Sequence, residues 1–323
     1  MKNIFITREI PGNAVKMLED KGHSVTVGKS KVPPTQKDII KELKKKNYDA
    51  VITLLTDKID AKIFEMSPST KLYANYSIGY DNFDIAEANK RGISLTNAPG
   101  DYVDGIAEHA IALILALMSR LVEGDNFMRK GKYKGWDPML FIGDDISGKT
   151  VAIIGTGRIG EKVARKIYAS FGAKIIYYDI VRNERIEKEC NAVFMNSVDE
   201  ALMVADVVSI HVPLLPSTHH LINKDRLNKM KSSAYLINTS RGAVIDENAL
   251  VEALKEGKIK GAGLDVYEFE PKLAKGLTKL ENTILSPHIA SAQAEARVEM
   301  SRIVAENVID FFEGKKPKNK INK

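Results

Sequence analysis

Along the first hundred residues, short apolar runs rich in β-branched side chains alternate with stretches whose apolar positions recur every three or four residues. Residues 3–7, 24–27, 50–54, 72–76 and 93–95 read as strands. Residues 12–21, 36–45 and 83–91 carry the helical period between them. Such alternation predicts a parallel sheet flanked by helices. Asn97-Ala98-Pro99-Gly100 interrupts the pattern, and residues 103–129 follow as one long helix. A second alternating series opens at Thr150, with strands at 151–154, 174–178, 207–211, 234–238, 263–266 and 283–285. Helices fit between them, at 157–171 and 246–255 for example, and an amphipathic helix at 292–312 closes the chain. The pattern predicts two doubly wound α/β units, with the cleft between them as the default ligand site.

At 323 residues the chain is long enough for two domains, each with its own core. It is 44% hydrophobic and 28% charged, which excludes collagen-like, coiled-coil and wholly disordered chains. The single cysteine, Cys190, excludes an intramolecular disulfide and a cysteine-cluster metal site, and it suits a reducing, cytoplasmic setting. Much of the net charge of +6 comes from lysine-rich stretches such as 41–46 and 314–323, which read as solvated surface. Clustered arginine with interleaved aromatics would mark a nucleic-acid reader instead. The apolar run at 110–118 falls short of the ~18 residues a membrane span needs, and the N-terminal run is too short for a signal peptide. Neither nucleic acid nor membrane is an expected partner.

Gly155-Thr156-Gly157-Arg158-Ile159-Gly160 stands between a predicted strand and a predicted helix. The glycine string alone is a weak signal; in this setting it is a dinucleotide fingerprint. Gly155 permits the tight turn, Gly157 lets the backbone approach a pyrophosphate, and Gly160 lets helix and strand pack closely. The helix N-terminus then offers unpaired N–H groups to the phosphates. Asp179 ends the next strand, where a carboxylate accepts hydrogen bonds from a ribose diol and repels a 2′-phosphate. NAD(H) is therefore the expected cofactor, while Arg182 and Arg185 close behind leave NADP(H) open. After its first strand the N-terminal unit has Thr7-Arg8-Glu9-Ile10-Pro11 and no glycine fingerprint, so it is the expected substrate half.

Three further stretches follow predicted strands, where open α/β sheets bind ligands. In Asn238-Thr239-Ser240-Arg241-Gly242 the arginine has the planar fork that suits a carboxylate, although taken alone it reads first as a surface ion-pair partner. Asp265, Glu268 and Glu270 crowd one stretch, which a solvated loop would also explain. His288 follows the last strand in Leu285-Ser286-Pro287-His288. Of the six histidines only His211 shares that placement, and with Val212 and Pro213 it reads as packing on the cofactor loop. His219 and His220 form a pair with no third ligand nearby, so no metal is expected.

The ordered motifs Gly-Thr-Gly-Arg-Ile-Gly, Asn-Thr-Ser-Arg-Gly-Ala-Val-Ile-Asp, Gly-Leu-Asp-Val-Tyr-Glu-Phe-Glu-Pro and Ser-Pro-His-Ile-Ala-Ser resemble the D-isomer-specific 2-hydroxyacid dehydrogenase family. The likeness covers essentially the whole chain, including Ser77-Ile78-Gly79-Tyr80-Asp81-Asn82-Phe83-Asp84, and residues 135–143 resemble the glyoxylate/hydroxypyruvate reductase subgroup. The resemblance implies a flavodoxin-like substrate domain at 1–100 plus 288–323 and a Rossmann NAD domain at 101–287, with the active site in the cleft. It implies a homodimer built on the long helix near 103–129. It implies that Arg241 holds the substrate carboxylate and polarises the carbonyl, and that His288 is the proton donor in reduction. Glu270, not Glu268, matches the acid that hydrogen-bonds that histidine. The amides of Ile78 and Gly79 match the loop that binds the substrate carboxylate. Gly155, Gly157, Arg158, Ile159, Gly160, Asp179, His211, Val212, Pro213, Thr239, Ser240 and His288 match the cofactor's surroundings, and Asp265 matches the contact to the nicotinamide carboxamide.

The implied activity is NAD(P)H-dependent reduction of a small 2-oxo acid, glyoxylate or hydroxypyruvate, to the D-2-hydroxy acid, with NAD(H) preferred. Such a reduction builds negative charge on the carbonyl oxygen, which a guanidinium and an imidazolium answer, and a carboxylate neighbour favours the imidazolium. Other readings stay open. A 3-phosphoglycerate enzyme would want basic groups in the loops at 53–56 and 76–79, which supply none; a D-lactate dehydrogenase is a second rival. Formate dehydrogenases carry glutamine where Glu270 stands, and phosphonate-type relatives a lysine where Ile78 stands. A nucleotide-sensing, corepressor-like binding protein shares the fold and would bind NADH with negligible turnover.

Overall fold

The computed structural model describes residues Met1–Lys323. The chain divides into two compact units, Met1–Tyr102 with Ala292–Lys323, and Val103–Ser291. The breaks fall at Tyr102/Val103 and Ser291/Ala292 rather than at the expected 100/101 and 287/288, so His288 lies with the second unit.

The first unit is built on a five-stranded sheet of β1 (Asn3–Ile6), β2 (Ser24–Val27), β3 (Ala50–Thr53), β4 (Leu72–Asn75) and β5 (Ser94–Thr96), in the order β2-β1-β3-β4-β5. Every neighbouring pair is parallel. Successive strand residues point to opposite faces. Ile4, Ile6, Ile52 and Ala74 therefore pack with Leu18 and Val304 of the helices Ala14–Asp20 and Ala294–Phe312. Phe5, Val51 and Tyr73 pack on the other side with Ile39 and Ile63. Burial on both faces explains why these strands read as continuous apolar runs rather than alternating ones. A helix at Ala61–Met66, capped by the Asp60 carboxylate, was not expected from the pattern, being too short to display a period.

The second unit has seven parallel strands: β6 (Thr150–Ile154), β7 (Lys174–Tyr178), β8 (Val193–Phe194), β9 (Val207–Ile210), β10 (Tyr235–Asn238), β11 (Gly261–Leu264) and β12 (Thr283–Leu285). Their order is β12-β11-β10-β9-β6-β7-β8. The two parallel-sheet α/β units expected from the alternation are thus what the chain forms. Three elements differ. β8, only two residues long, was not among the expected strands. β11 begins and ends earlier than the expected 263–266, with Leu264 paired to Asn238 and the Asp265 amide donating to the Asn238 carbonyl before the chain departs. The single helix at 103–129 is two, Val103–Met118 and Leu121–Arg129, bent by 65°. The cause is local. The Met118 carbonyl, which would accept from Val122 in a continuing helix, accepts from the Asp144 amide at 2.9 Å, and Arg120 turns into the left-handed region at φ 54°. No single helix is long and apolar enough to cross a membrane.

Because all seven strands run the same way, the residues that follow β6, β7, β9, β10, β11 and β12 emerge at one edge of this sheet. The chain winds outward in both directions from β6, with β9 on one side and β7 on the other. A crevice at such a reversal is where this architecture takes ligands.

Candidate active site

β10, β11 and β12 are consecutive in the sheet, and neighbouring strands lie about 4.8 Å apart. Arg241 after β10, Glu270 after β11 and His288 after β12 are therefore delivered by adjacent strand ends. The turn after β10 is shaped by buried Asn238. Its Oδ1 accepts from the Ser240 amide at 3.0 Å and hydroxyl at 2.8 Å, and its Nδ2 donates to the Arg241 carbonyl at 2.9 Å. Half-buried Arg241 donates through Nη1 to the Ser240 carbonyl at 2.8 Å. Gly242 then presses on the chain that follows β11: a Cβ there would lie 1.8 Å from the Tyr267 carbonyl carbon and 2.3 Å from the Glu268 nitrogen. Only glycine permits the arginine loop to meet the glutamate loop this closely.

The two glutamates of that loop face different histidines. Glu270 Oε1 accepts from the Tyr267 amide at 3.0 Å, and Oε2 lies 3.1 Å from His288 Nδ1. Glu268 Oε1 lies 2.7 Å from His220 Nε2, while its Oε2 accepts from the Glu247 amide at 3.2 Å. Buried Glu247 accepts the amides of Glu268 and Ala274, both at 2.7 Å. Glu268 also corrects the reading of His219 and His220 as a pair without a third ligand. Their ligand atoms and a Glu268 oxygen lie within 4.8 Å of one another. It arrives from 48 residues beyond His220, a proximity that only the fold creates. The His220–Glu268 hydrogen bond and the stacked imidazoles, with centroids 4.1 Å apart, occupy this cluster.

His288 holds a left-handed backbone, φ 55°, which a residue with a Cβ adopts only when its surroundings dictate it. Its amide donates to the Asp265 carbonyl at 2.9 Å. The Asp265 carboxylate, wholly buried, accepts from the Ser286 hydroxyl at 2.6 Å, the Ile289 amide at 2.9 Å and the Ala290 amide at 2.8 Å. His109, on the helix Val103–Met118, brings Nε2 within 3.1 Å of Ser286 Oγ and 3.4 Å of Asp265 Oδ1. Burial alone would push the Asp265 pKa up. The bonds from His109, Ser286 and the two amides outweigh it and hold the carboxyl below its usual range. The Asp265 carboxylate thus holds the loop that carries His288.

The cofactor fingerprint forms a cradle. Gly155 turns at φ 92°, and a Cβ there would lie 2.9 Å from the His211 carbonyl carbon and the Val212 nitrogen. A Cβ on Gly160 would lie 2.0 Å from the Gly155 carbonyl oxygen, whereas nothing lies within 4 Å of one on Gly157. The helix Arg158–Phe171 therefore starts beneath open ground, with no side chain capping it. Asp179 Oδ2 accepts from the Thr156 amide at 2.6 Å and Oδ1 from the Ile180 amide at 2.7 Å, tying β7 to the glycine loop. Arg182 is committed to both Glu187 oxygens, at 3.0 and 3.1 Å, and Arg185 to Glu189 and Glu161. His211 meets Ser209 Oγ at 2.8 Å, and burial pushes its pKa down to about 3, so it is neutral packing beside Val212, with Pro213 exposed. Thr239 Oγ1 is buried without a partner, which native structures seldom allow. A closed glycine turn, an uncapped helix start and an orphaned hydroxyl fit a dinucleotide. The glycine loop with Arg158 and Ile159 could hold its phosphates, Asp179 a ribose, and Thr239 a further polar group.

In the first unit the carbonyls of Ser77, Ile78 and Gly79 are tied down by the Ala98 amide at 2.8 Å, Asn97 Nδ2 at 2.7 Å and Asn75 Nδ2 at 2.9 Å. In a trans peptide the N–H points away from the C=O. Each bond fixes the peptide plane that also carries the amide of Ile78, Gly79 or Tyr80.

The sequence reading missed His109, Ser286, Asn238 and Glu247. A signal existed for His109 alone: it is the one imidazole on a helical face otherwise made of Ile106, Ala110 and Leu113, all buried.

Comparison with known proteins agrees with this geometry. Residues 111–290 match the model of the D-isomer specific 2-hydroxyacid dehydrogenase, NAD binding domain. The chain is 47% identical to the glyoxylate reductase of Thermococcus litoralis, over 99% of this chain and 96% of that protein, and 46% identical to that of Korarchaeum cryptofilum, over 99% and 95%. Among solved structures, a Thermus thermophilus protein superposes with a TM-score of 0.91 at 38% identity over 99% of both chains. The D-lactate dehydrogenase of Aquifex aeolicus, complexed with NAD and lactic acid, gives 0.85 at 31% over 99% of both. An NADPH-dependent glyoxylate/hydroxypyruvate reductase of Sinorhizobium meliloti gives 0.86 at 28%, over 99% of this chain and 98% of the other. A dinucleotide cradle and a histidine–glutamate pair at the same edge of one sheet, with likeness over the full length, lead to one conclusion: the chain belongs to the D-isomer specific 2-hydroxyacid dehydrogenase family and is a nicotinamide-dependent oxidoreductase.

Proposed function

We propose that this enzyme reduces glyoxylate or hydroxypyruvate to the corresponding 2-hydroxy acid, of D configuration where the product is chiral, with NADH preferred over NADPH. The observation that carries the reading is the pair His288 Nδ1–Glu270 Oε2 at 3.1 Å, delivered by β12 and β11, with β10, which delivers Arg241, next to β11. The bound dihydronicotinamide supplies the hydride. With Nδ1 engaged by Glu270, the imidazolium has Nε2–H left to give, and it protonates the carbonyl oxygen as negative charge develops there. Arg241 holds the substrate carboxylate through its planar fork and polarises the carbonyl. Ser240, whose hydroxyl serves Asn238, acts on the cofactor through its backbone. The preference for NADH is supported by Asp179 at the end of β7 and by the commitment of Arg182 and Arg185 to glutamates.

We also propose a homodimer. Leu121, Trp136, Met139 and Ile142 leave 64, 83, 73 and 58% of their surface exposed, on the second helix of the broken pair and the segment after it. Sedimentation giving a monomer at micromolar concentration would end that proposal.

The test of the activity is a panel of 2-oxo acids assayed with NADH and NADPH on the native enzyme and on Arg241→Lys. Lysine keeps the charge and loses the fork. A charge-assisted hydrogen bond is worth about 1.5–3 kcal/mol, so KM for glyoxylate should rise roughly 10- to 150-fold while NADH affinity holds. A native protein that binds NADH and turns over none of the panel would overturn the reading.

A further inference from the structure

His288 has two supports. Glu270 orients its ring, but Glu270 does nothing for the backbone on which the ring stands. That backbone is left-handed at φ 55° and is pinned by Asp265, through the His288 amide on the Asp265 carbonyl and the Ile289 and Ala290 amides on its carboxylate. Asp265 is in turn met by Ser286 Oγ at 2.6 Å, and Ser286 Oγ and Asp265 Oδ1 are met by His109 Nε2 at 3.1 and 3.4 Å.

Counting protons fixes the direction of this chain. Held below the usual carboxyl range, Asp265 is an acceptor only. The Ser286 hydroxyl has one hydrogen, which the 2.6 Å contact assigns to Asp265 Oδ1. Its oxygen then accepts, so His109 Nε2 must carry a hydrogen and donate. The run His109 Nε2–H to Ser286 O–H to Asp265 is a string of donors pointing one way, each polarising the next.

We propose that His109 is a positioning residue for the 2-oxo acid reduction, setting the place of the catalytic His288 through Ser286 and Asp265 from a helix that contributes no group to the chemistry. The inference rests on the functional reading above. The helix Val103–Met118 is long and well packed, with ten of its residues buried, so it offers the loop a fixed point that the loop itself lacks. A displacement of about 1 Å at a reacting group is enough to slow a reaction some 100-fold. His109 therefore acts on the chemical step, not on binding.

The variants are His109→Leu, His109→Gln, Ser286→Ala and the double variant His109→Leu/Ser286→Ala. Each is read for kcat and KM with glyoxylate, for NADH affinity by fluorescence and for Tm. His109→Leu should lower kcat roughly 10- to 100-fold, with KM and NADH affinity within about twofold of native. His109→Gln, whose amide nitrogen can stand in for Nε2–H, should recover most of that loss. The double variant should be no slower than the worse single, because one chain is being cut twice. The inference is overturned by native kcat in His109→Leu, or by leucine and glutamine variants equally slow with lowered Tm and weakened NADH binding, the mark of a purely structural histidine. The native enzyme in the same series separates the two levels. Active native enzyme with an indifferent His109→Leu sinks this inference alone, whereas native enzyme silent on every 2-oxo acid sinks the functional reading and this inference with it.

Discussion

Each unit buries one aspartate completely near the end of a strand, and the two have opposite electrostatic fates. Asp57, in the first unit, takes the Thr7 hydroxyl at 2.5 Å and the Leu54 amide at 2.8 Å on Oδ2, while its Oδ1 is buried with no partner. Burial pushes its pKa up, and the bonds from Leu54 and Thr7 do not offset it. Asp265, in the second unit, is as deeply buried, yet both of its oxygens are met and its pKa falls. Donor count at each oxygen, not depth, decides whether a buried carboxyl keeps its charge. Where the first unit fills the end of its first strand with the Thr7–Asp57 pair, the second leaves open space at Gly157 after β6 and spends its charged aspartate on the loop that follows β12. One architecture thus carries two different edges, and chemistry is assigned to the edge that keeps a buried charge.

The largest effect should come from testing that assignment directly. His288→Asn should lower kcat by about 10²- to 10⁴-fold, the usual worth of a placed general acid, with NADH affinity by fluorescence titration unchanged. Turnover within threefold of native would place the chemistry elsewhere and break the comparison.

Next come the aspartates themselves, in thermal melts of Asp265→Asn and Asp57→Asn from about pH 2 to 8, a span that reaches below the ordinary carboxyl value. Asp265 has a lowered native pKa, so its contribution is present above the ordinary carboxyl value and is lost as pH falls through the native one. The deficit of Asp265→Asn should therefore be greatest at neutral pH, about 1.5–3 kcal/mol for lost bonds to a charged group, and shrink in acid. Asp57 has the opposite sign: its contribution is full below the ordinary value and is lost as pH rises through the raised native one. Asp57→Asn should gain on the native protein as pH rises. Parallel slopes for the two variants would contradict the contrast.

The smallest effect sharpens it at a third carboxylate. Asp179 is only half-buried and keeps surface for a ligand. Asp179→Ser should narrow the ratio of kcat/KM for NADH over NADPH by about tenfold, or 1.4 kcal/mol, while leaving Tm within a degree or two. An unchanged ratio would remove Asp179 from cofactor choice.

What was legible in the sequence was whatever is written within one strand and its following loop. The Gly155–Gly160 string, Asp179, and the positions of Arg241, Glu270 and His288 after predicted strands are of that kind. The choice of Glu270 over Glu268 needed the family motif, since the two are chemically alike and two residues apart; the fold separates them by aiming one at His288 and the other at His220. The linkage of His109 to Ser286 spans 177 positions, and nothing local announces it. The break at Arg120 was hidden for a similar reason, because the competing donor to the Met118 carbonyl is the Asp144 amide, beyond any helical window. β8, at two residues, is too short to carry a period.

Gly242 and Gly157 pose different problems to descent with modification. Any codon change that alters a glycine adds a Cβ. At Gly157 nothing stands within 4 Å of it, so the protein itself tolerates drift there and only a ligand can object. At Gly242 the new carbon would fall 1.8 Å from the Tyr267 carbonyl carbon, parting the arginine loop from the glutamate loop in one step. No sequence of small changes leads away from that residue without first parting those two loops. Novelty in substrate choice must therefore enter through side chains that border the edge, while the junction holding it together stays closed to experiment by mutation.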